Sequence, residues 1–425
     1  MKNKKYWWEN AIFYELYIDK FAGNFRALSE KLPYLQELGV DCVHLLPFYP
    51  SPMVDGGYDV SDYQNIRPEL GNLKDFDAFT KKAHEIGVKI MIDLVLNHTS
   101  INHPWFKEAA ENKKSDKKNY YLWSKTGKEF SDTTNAFPHA KQKSWIFNKA
   151  AKEYYFSTFY PEQADLNWDN PKVFEETAKI MDFWVSLGVN VFRLDAVAHL
   201  IKREGTKSKN LPETHNVIKK IKLRAEKNYP GVALLGEVHD TLKKMTEYFG
   251  DGDECHFLYH FPLAESLIFE AVTGKKSVSA EYLQNLKKIP KNSSWLVFLR
   301  NHDDLSLATL TEEEWELFFK TIDPQKRFLF GEGIALRLKN LCAKSRKGSD
   351  RCLREITEKL FSIPAPIVLY YGDEIGMENL PFTGKERDVR AYARGNFDWI
   401  EAKRQSEDPR SLLSFIKELA AKRKH

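Results

Sequence analysis

Asp195, Glu237 and Asp303 each close a short apolar run, and His98, Arg193 and His302 stand beside such runs. The run 88–95 leads into Asn97-His98, and 189–194 contains Arg193 and leads into Asp195. The run 232–235 leads into Gly236-Glu237, and 295–299 leads into Arg300-Asn301-His302-Asp303. One acid at a strand end is commonly a helix cap or a surface charge. Four titratable strand ends on the same side exceed what capping explains. Three carboxylates with imidazole and guanidinium neighbours suit acetal chemistry. One carboxylate attacks the anomeric carbon and a second protonates the leaving oxygen. Arg193 lies two residues before Asp195, so both point to one face of their strand. The cation favours an ionised, attacking Asp195. No G-x-S-x-G elbow, phosphate-binding loop or cysteine–base pair competes with this reading.

The surrounding pattern shows what must hold these groups. Short apolar runs at 11–17, 41–46, 88–95, 189–194, 232–235, 295–299 and 367–371 read as strands. Amphipathic stretches at 29–38, 73–86, 173–187 and 212–228 read as helices, with a long one at about 325–363. Gly39, Gly87 and Gly188 stand where helices stop. Repeated strand–helix units imply right-handed crossovers and a parallel sheet. The expected class is α/β, a (β/α)8 TIM barrel whose active site sits where the strands end. Residues 98–170 break the rhythm and carry fifteen aromatic residues, from Trp105 to Trp168. They read as a subdomain inserted after the third strand, its rings forming a private core or a ligand-stacking surface. The division is 1–97 barrel, 98–170 insert, 171–425 remainder of the barrel.

The 42% hydrophobic fraction can fill a large core, and 64 basic against 60 acidic residues argue against nucleic acid as a partner. Cys42, Cys255, Cys342 and Cys352 are widely spaced without a C-x-x-C pair, which excludes a zinc knuckle. No run of about 18 apolar residues or signal peptide is visible, so no membrane association and a cytoplasmic location are expected. The basic tail from Lys422 to His425 reads as a solvated helix end.

These motifs together resemble glycoside hydrolase family 13, the α-amylase family, over nearly the whole chain. The segments are 39–47, 93–98, 163–167, 188–199, 236–239, 298–303 and 370–377, in the family's order. The resemblance implies Asp195 as nucleophile, Glu237 as general acid/base and Asp303 as the third carboxylate, which distorts the sugar. Arg193, His98 and His302 would shape the same subsite. Tyr58 would stack on the non-reducing glucose and Asp59 hydrogen-bond to it. Arg394, with Arg390 as the alternative, would pair with Asp59. Segments 45–52, 57–59, 203–206, 210–215 and 298–304 are most similar to the trehalose-synthase branch, which interconverts maltose and trehalose. A retaining enzyme acting on maltose, trehalose or short α-glucans is therefore expected, with hydrolysis as the alternative and a non-catalytic sugar-binding relative as a remote one.

Three departures matter. The segment 21–25 lacks the acids of the family's metal loop, and Lys202 stands where an acid is usual. Family calcium sites use an Asn like Asn97, an acid like Asp165 and a carbonyl near His199. No tightly bound calcium and no other cofactor are expected, with the Lys202 ammonium either in the cation's place or in solvent. The pair Ala198-His199 replaces Pro-Tyr. Finally, the sequence stops at residue 425, about where relatives begin a C-terminal β-sandwich, so a barrel without that sandwich is expected, and the charged segment 401–425 suggests a monomer.

Overall fold

The computed structural model describes residues 6–133, 135–136, 143–345 and 347–424. Eight parallel strands close into a barrel: β1 Ile12–Leu16, β2 Cys42–Leu45, β3 Lys89–Val95, β4 Val191–Asp195, β5 Ala233–Gly236, β6 Phe257–Tyr259, β7 Ser294–Phe298 and β8 Ile367–Tyr370. Each strand pairs with its neighbours in sequence, and β8 closes on β1 with Ile12 opposite Ile367. Nearly every strand residue is buried, because helices cover the outside and side chains fill the inside. β6 is absent from the sequence reading.

The helices follow ordinary rules of capping and packing. Asn72 and Asp75 form a reciprocal capping box at the start of Leu73–Glu85. Asn170 caps Pro171–Ser186, whose Trp184 is fully buried against Phe48, Tyr49 and Phe76. The expected helix 29–38 is two short ones, Phe25–Glu30 and Leu32–Glu37, with Pro33 in the first turn of the second. The long helical stretch expected at about 325–363 is instead a hairpin, Leu329–Phe330 with Gly333–Ile334, followed by Leu338–Cys342 and Ser349–Ser362.

Between β3 and β4 the chain leaves the barrel. It forms a two-stranded antiparallel ribbon, His98–Ser100 with Gln163–Asp165, and a three-stranded sheet of Trp123–Ser124, Glu153–Phe156 and Trp145–Asn148. Many of its aromatics form a private core: Phe106 packs edge-on against Tyr121 and Tyr155 and stacks on Trp123. Trp168 Nε1 donates to Leu96 O, tying the returning chain to the end of β3.

The last helix, Leu412–Lys424, is no free tail. Arg423 reaches back to the carbonyls of Asn10, Phe361, Ile363 and Ala365, so it clamps the approaches to both β1 and β8. This corrects the reading of a wholly solvated basic end. Among the described residues no helix is long and apolar enough to cross a membrane.

Candidate active site

The strand register places the site. Asp93 on β3 lies opposite Arg193 on β4, and Val95 lies opposite Asp195. Asp93 and Arg193 point into the barrel, where Arg193 is fully buried. Its Nη1 contacts Asp93 and donates to Asp195 Oδ1 at 2.7 Å, and its Nη2 lies 2.6 Å from Glu237 Oε1. One guanidinium therefore grips both carboxylates, which keeps them no further apart than its own width plus two hydrogen bonds. Asp195 and Glu237 are 7% and 8% exposed, so they are reachable but nearly dry.

Local backbone supports this pairing. Ala196 is left-handed at φ 49°, a conformation that strains a side-chain-bearing residue, and its N–H donates to Glu237 Oε2 at 3.1 Å. Gly236 permits the close approach of β6: a Cβ there would stand 2.7 Å from Cys255 Sγ. Burial and the neighbouring Glu237 charge push Asp195 well up. Burial would raise Glu237 too, but Arg193 and His239 hold it down to about 2. The one proton of this pair therefore favours Asp195 and leaves Glu237 ionised, the reverse of the ionised Asp195 expected beside Arg193.

Asp303 forms the other wall. It accepts from Arg390 Nη1 at 2.8 Å and Arg394 Nη2 at 3.2 Å, and faces His302 Nε2 at 3.1 Å. Although burial opposes it, His302 and Arg390 keep this carboxyl well below the usual range. Tyr58 lies between the two halves. Its hydroxyl contacts Asp93 Oδ1 at 3.2 Å and His302 Nε2 at 2.7 Å, and its ring stacks on the His302 ring. His98 Nε2 lies 3.0 Å from Gln163 Nε2, and burial lowers its pKa to about 4.

The expected arginine pairing with Asp59 is not formed. Asp59 is fully buried and accepts from Ser51 Oγ and the N–H groups of Val54 and Asp55, so it staples its own loop. Asp55, four residues earlier, takes the expected role: Arg390 Nη2 donates to its Oδ1 at 2.7 Å, and Gln163 Nε2 to its Oδ2 at 3.0 Å. The bridging arginine is Arg390, while Arg394 braces Asp303 and the His302 carbonyl. Gly57, at φ 103°, lets the loop turn where a Cβ would meet Pro47 O at 2.9 Å. Sequence reasoning also passed over Glu15 and His44, which lie below Asp93 and His302.

The segment 201–211 follows β4 and lies against the insert. Arg203 pairs with Asp169 and Glu213, Glu204 accepts from Phe130 N–H, and Ser208 Oγ meets Thr133 Oγ1 at 2.8 Å. The bonds to Asp169, Phe130 and Thr133 tie the loop after β4 to the insert.

Beside the site, Lys202 is buried. Its Nζ lies 2.9 Å from Asn97 Oδ1, 2.5 Å from His199 O and 2.5 Å from Asp165 Oδ2. Three N–H donors face three acceptors, which is the requirement of an ammonium. Calcium needs six to eight oxygens, and these residues do not fit it. The solvent-facing alternative for Lys202 is overturned.

The alpha amylase catalytic-domain model matches residues 7–333. The trehalose synthase of Thermus thermophilus is 38% identical, over 98% of this chain and 46% of its own. The trehalose synthase/amylase of Mycobacterium tuberculosis is 38% identical, over 90% of this chain and 65% of its own. The chain thus spans about half to two thirds of these relatives. The crystal structure of the isomaltulose synthase from Klebsiella sp. LX3 superposes with a TM-score of 0.79 at 24% identity, covering 100% of this chain and 85% of that one. That likeness concerns the fold.

Proposed function

Because the chain belongs to the alpha-amylase catalytic-domain family, we propose that it is a retaining α-glucosyl enzyme that interconverts maltose and trehalose. The observation carrying this reading is the single Arg193 guanidinium that holds Asp195 and Glu237 together beside Asp303. The pair's one proton moves from Asp195 to Glu237 as the sugar enters; the Asp195 carboxylate then attacks the anomeric carbon while Glu237 gives that proton to the departing glycosidic oxygen. The cleaved bond leaves a glucosyl ester on Asp195 and a free glucose. The Glu237 carboxylate then takes a proton from the incoming hydroxyl, which forms the new glycosidic bond and frees Asp195. Asp303, held ionised by Arg390 and Arg394, binds sugar hydroxyls and favours the flattened ring of the transition state.

The branch point is the identity of the second acceptor. Released glucose gives isomerisation, and water gives hydrolysis. The nearly dry carboxylates, the loop 201–211 tied to the insert and the Asp55–Arg390 bridge support a closed pocket that excludes water. They equally support short α-glucosides over internal cuts in starch. The printed name of the Mycobacterium relative, a synthase and an amylase together, keeps hydrolysis as the second reading. The proposal includes catalysis without calcium, as a cytoplasmic monomer.

Incubation with maltose, followed by separation of the sugars, tests it. Trehalose as the main product is expected, with the same mixture reached from trehalose. Glucose as the sole product would replace isomerase by α-glucosidase. Rapid loss of starch–iodine colour would reject the closed pocket. Asp195→Asn and Glu237→Gln should each keep the melting temperature and lose at least about 10²-fold in turnover.

A further inference from the structure

Two histidines below the sugar pocket share one carboxylate. Glu15, on β1, is fully buried. Its Oε1 accepts from the His302 backbone N–H at 2.7 Å and lies 2.9 Å from His302 Nδ1. Its Oε2 lies 3.1 Å from His44 Nδ1 and 3.4 Å from the Tyr259 hydroxyl. The far nitrogens of both rings face carboxylates as well: His44 Nε2 meets Asp93 Oδ2 at 2.8 Å, and His302 Nε2 meets Asp303 Oδ2 at 3.1 Å.

A carboxylate only accepts hydrogen bonds. A neutral imidazole always turns one lone pair outward. Each of these rings would then set that lone pair against a carboxylate oxygen in a fully buried interior. Two protons on each ring remove the conflict. Tyr58 agrees, since its oxygen can accept from His302 Nε2–H while its O–H donates to Asp93.

We propose that Glu15 is a positioning residue of the active site, holding His302 as a double N–H donor whose Nε2–H braces Asp303 and Tyr58 at the sugar pocket. Through Oε2 and His44, the same carboxylate braces Asp93, which contacts Arg193 and so reaches Asp195 and Glu237. The groups facing His302 are Glu15 from β1, Tyr17 beyond it, Asp303 beside it, Tyr58 from the loop after β2, and Arg394, whose Nε donates to the His302 carbonyl. Asp93 and Arg390 act one contact further out. Burial alone would lower His302, but Asp303 and Glu15 raise it to about 9. Burial would raise Glu15, but His302 and His44 hold it far below the ordinary range. The charge pattern therefore survives across neutral pH.

The kinetic arm of the test rests on the proposed glucosyl chemistry; the spectroscopic arm does not. In the wild-type protein, the ring ¹H–¹⁵N spectrum of labelled histidine, assigned by the signals lost in His302→Gln, should show both His302 nitrogens protonated at pH 7.5. A neutral His302 ring there would overturn the proposal. With p-nitrophenyl α-glucoside, kcat/KM should have an alkaline limb near pH 9. Glu15→Gln keeps the shape and removes the charge, and should move that limb down by about one pH unit or more. A folded, active Glu15→Gln enzyme with its limb unmoved and only a lower melting temperature would reduce Glu15 to a structural residue. If that variant is insoluble, the wild-type spectrum decides. An intact spectrum with no turnover of the glucoside would reject the glucosyl reading and leave the positioning role standing.

Discussion

Without the Lys202 ammonium, the fully buried Asp165 carboxylate would keep its Thr158 hydrogen bonds but lose its neutralising cation, and Asn97 Oδ1 would lose a donor. Breaking one partner of a buried ion pair costs about 3–5 kcal/mol. Lys202→Met should therefore lower the thermal midpoint by several degrees, read by differential scanning calorimetry. Wild-type activity and midpoint should be unchanged by EDTA; inactivation by the chelator would return a metal to this place. At this scale the sequence was most readable where a polar residue ends an apolar run, as at Asp195, Glu237 and Asp303. It was least readable inside such runs. Glu15 sits within IFYEL and His44 within CVHL, and only the closing of the barrel tells which alternate residues face inward. Asp55 and Asp59 share one loop, and spacing alone does not say which of them meets an arginine and which staples the backbone.

Secondary elements carry a pH dependence of their own. His103 and His260 cap helices by accepting a backbone N–H at Nδ1, from Trp105 and Leu263, and His256 accepts from Leu234 N–H in the same way. Burial lowers all three to about 3. The unfolded chain binds protons near pH 6.5 and the folded one does not. Stability from these groups is therefore full above about pH 6.5 and falls as the pH drops toward 3, by about 1.4 kcal/mol per group and pH unit. His260→Asn retains a capping oxygen without the titration. Its midpoint, relative to wild type, should improve steadily from pH 6.5 to 4.5 in calorimetry. A constant offset would show that His260 does not take up a proton on unfolding. Element lengths explain what the pattern missed. β6 has three residues, too few to show a period, and Pro33 divides a stretch whose apolar spacing alone reads as one helix.

At the scale of the whole molecule, the parallel barrel was legible because most apolar runs were followed by a helix of crossover length, although β6 and the helix after it, Phe261–Thr273, were not read. The insert was visible as a gap in that rhythm, but its ribbon and its small sheet were not, since their strands run only two to four residues. The closure of β8 on β1 has a consequence in time. Ile12 meets Ile367, and Arg423 then clamps both approaches. A ribosome adding about 5–20 residues per second needs roughly 20–70 s to travel from one to the other. Through that interval the outer edge of β1 waits without its partner, a bare template for a neighbouring nascent chain. Protease protection of the first strand should thus appear only once the last helix has left the ribosome, measurable with stalled chains of graded length. Nascent chains halted near residue 300 should remain cleavable at β1 and depend on a holding chaperone; early protection there would mean that a half-barrel folds by itself.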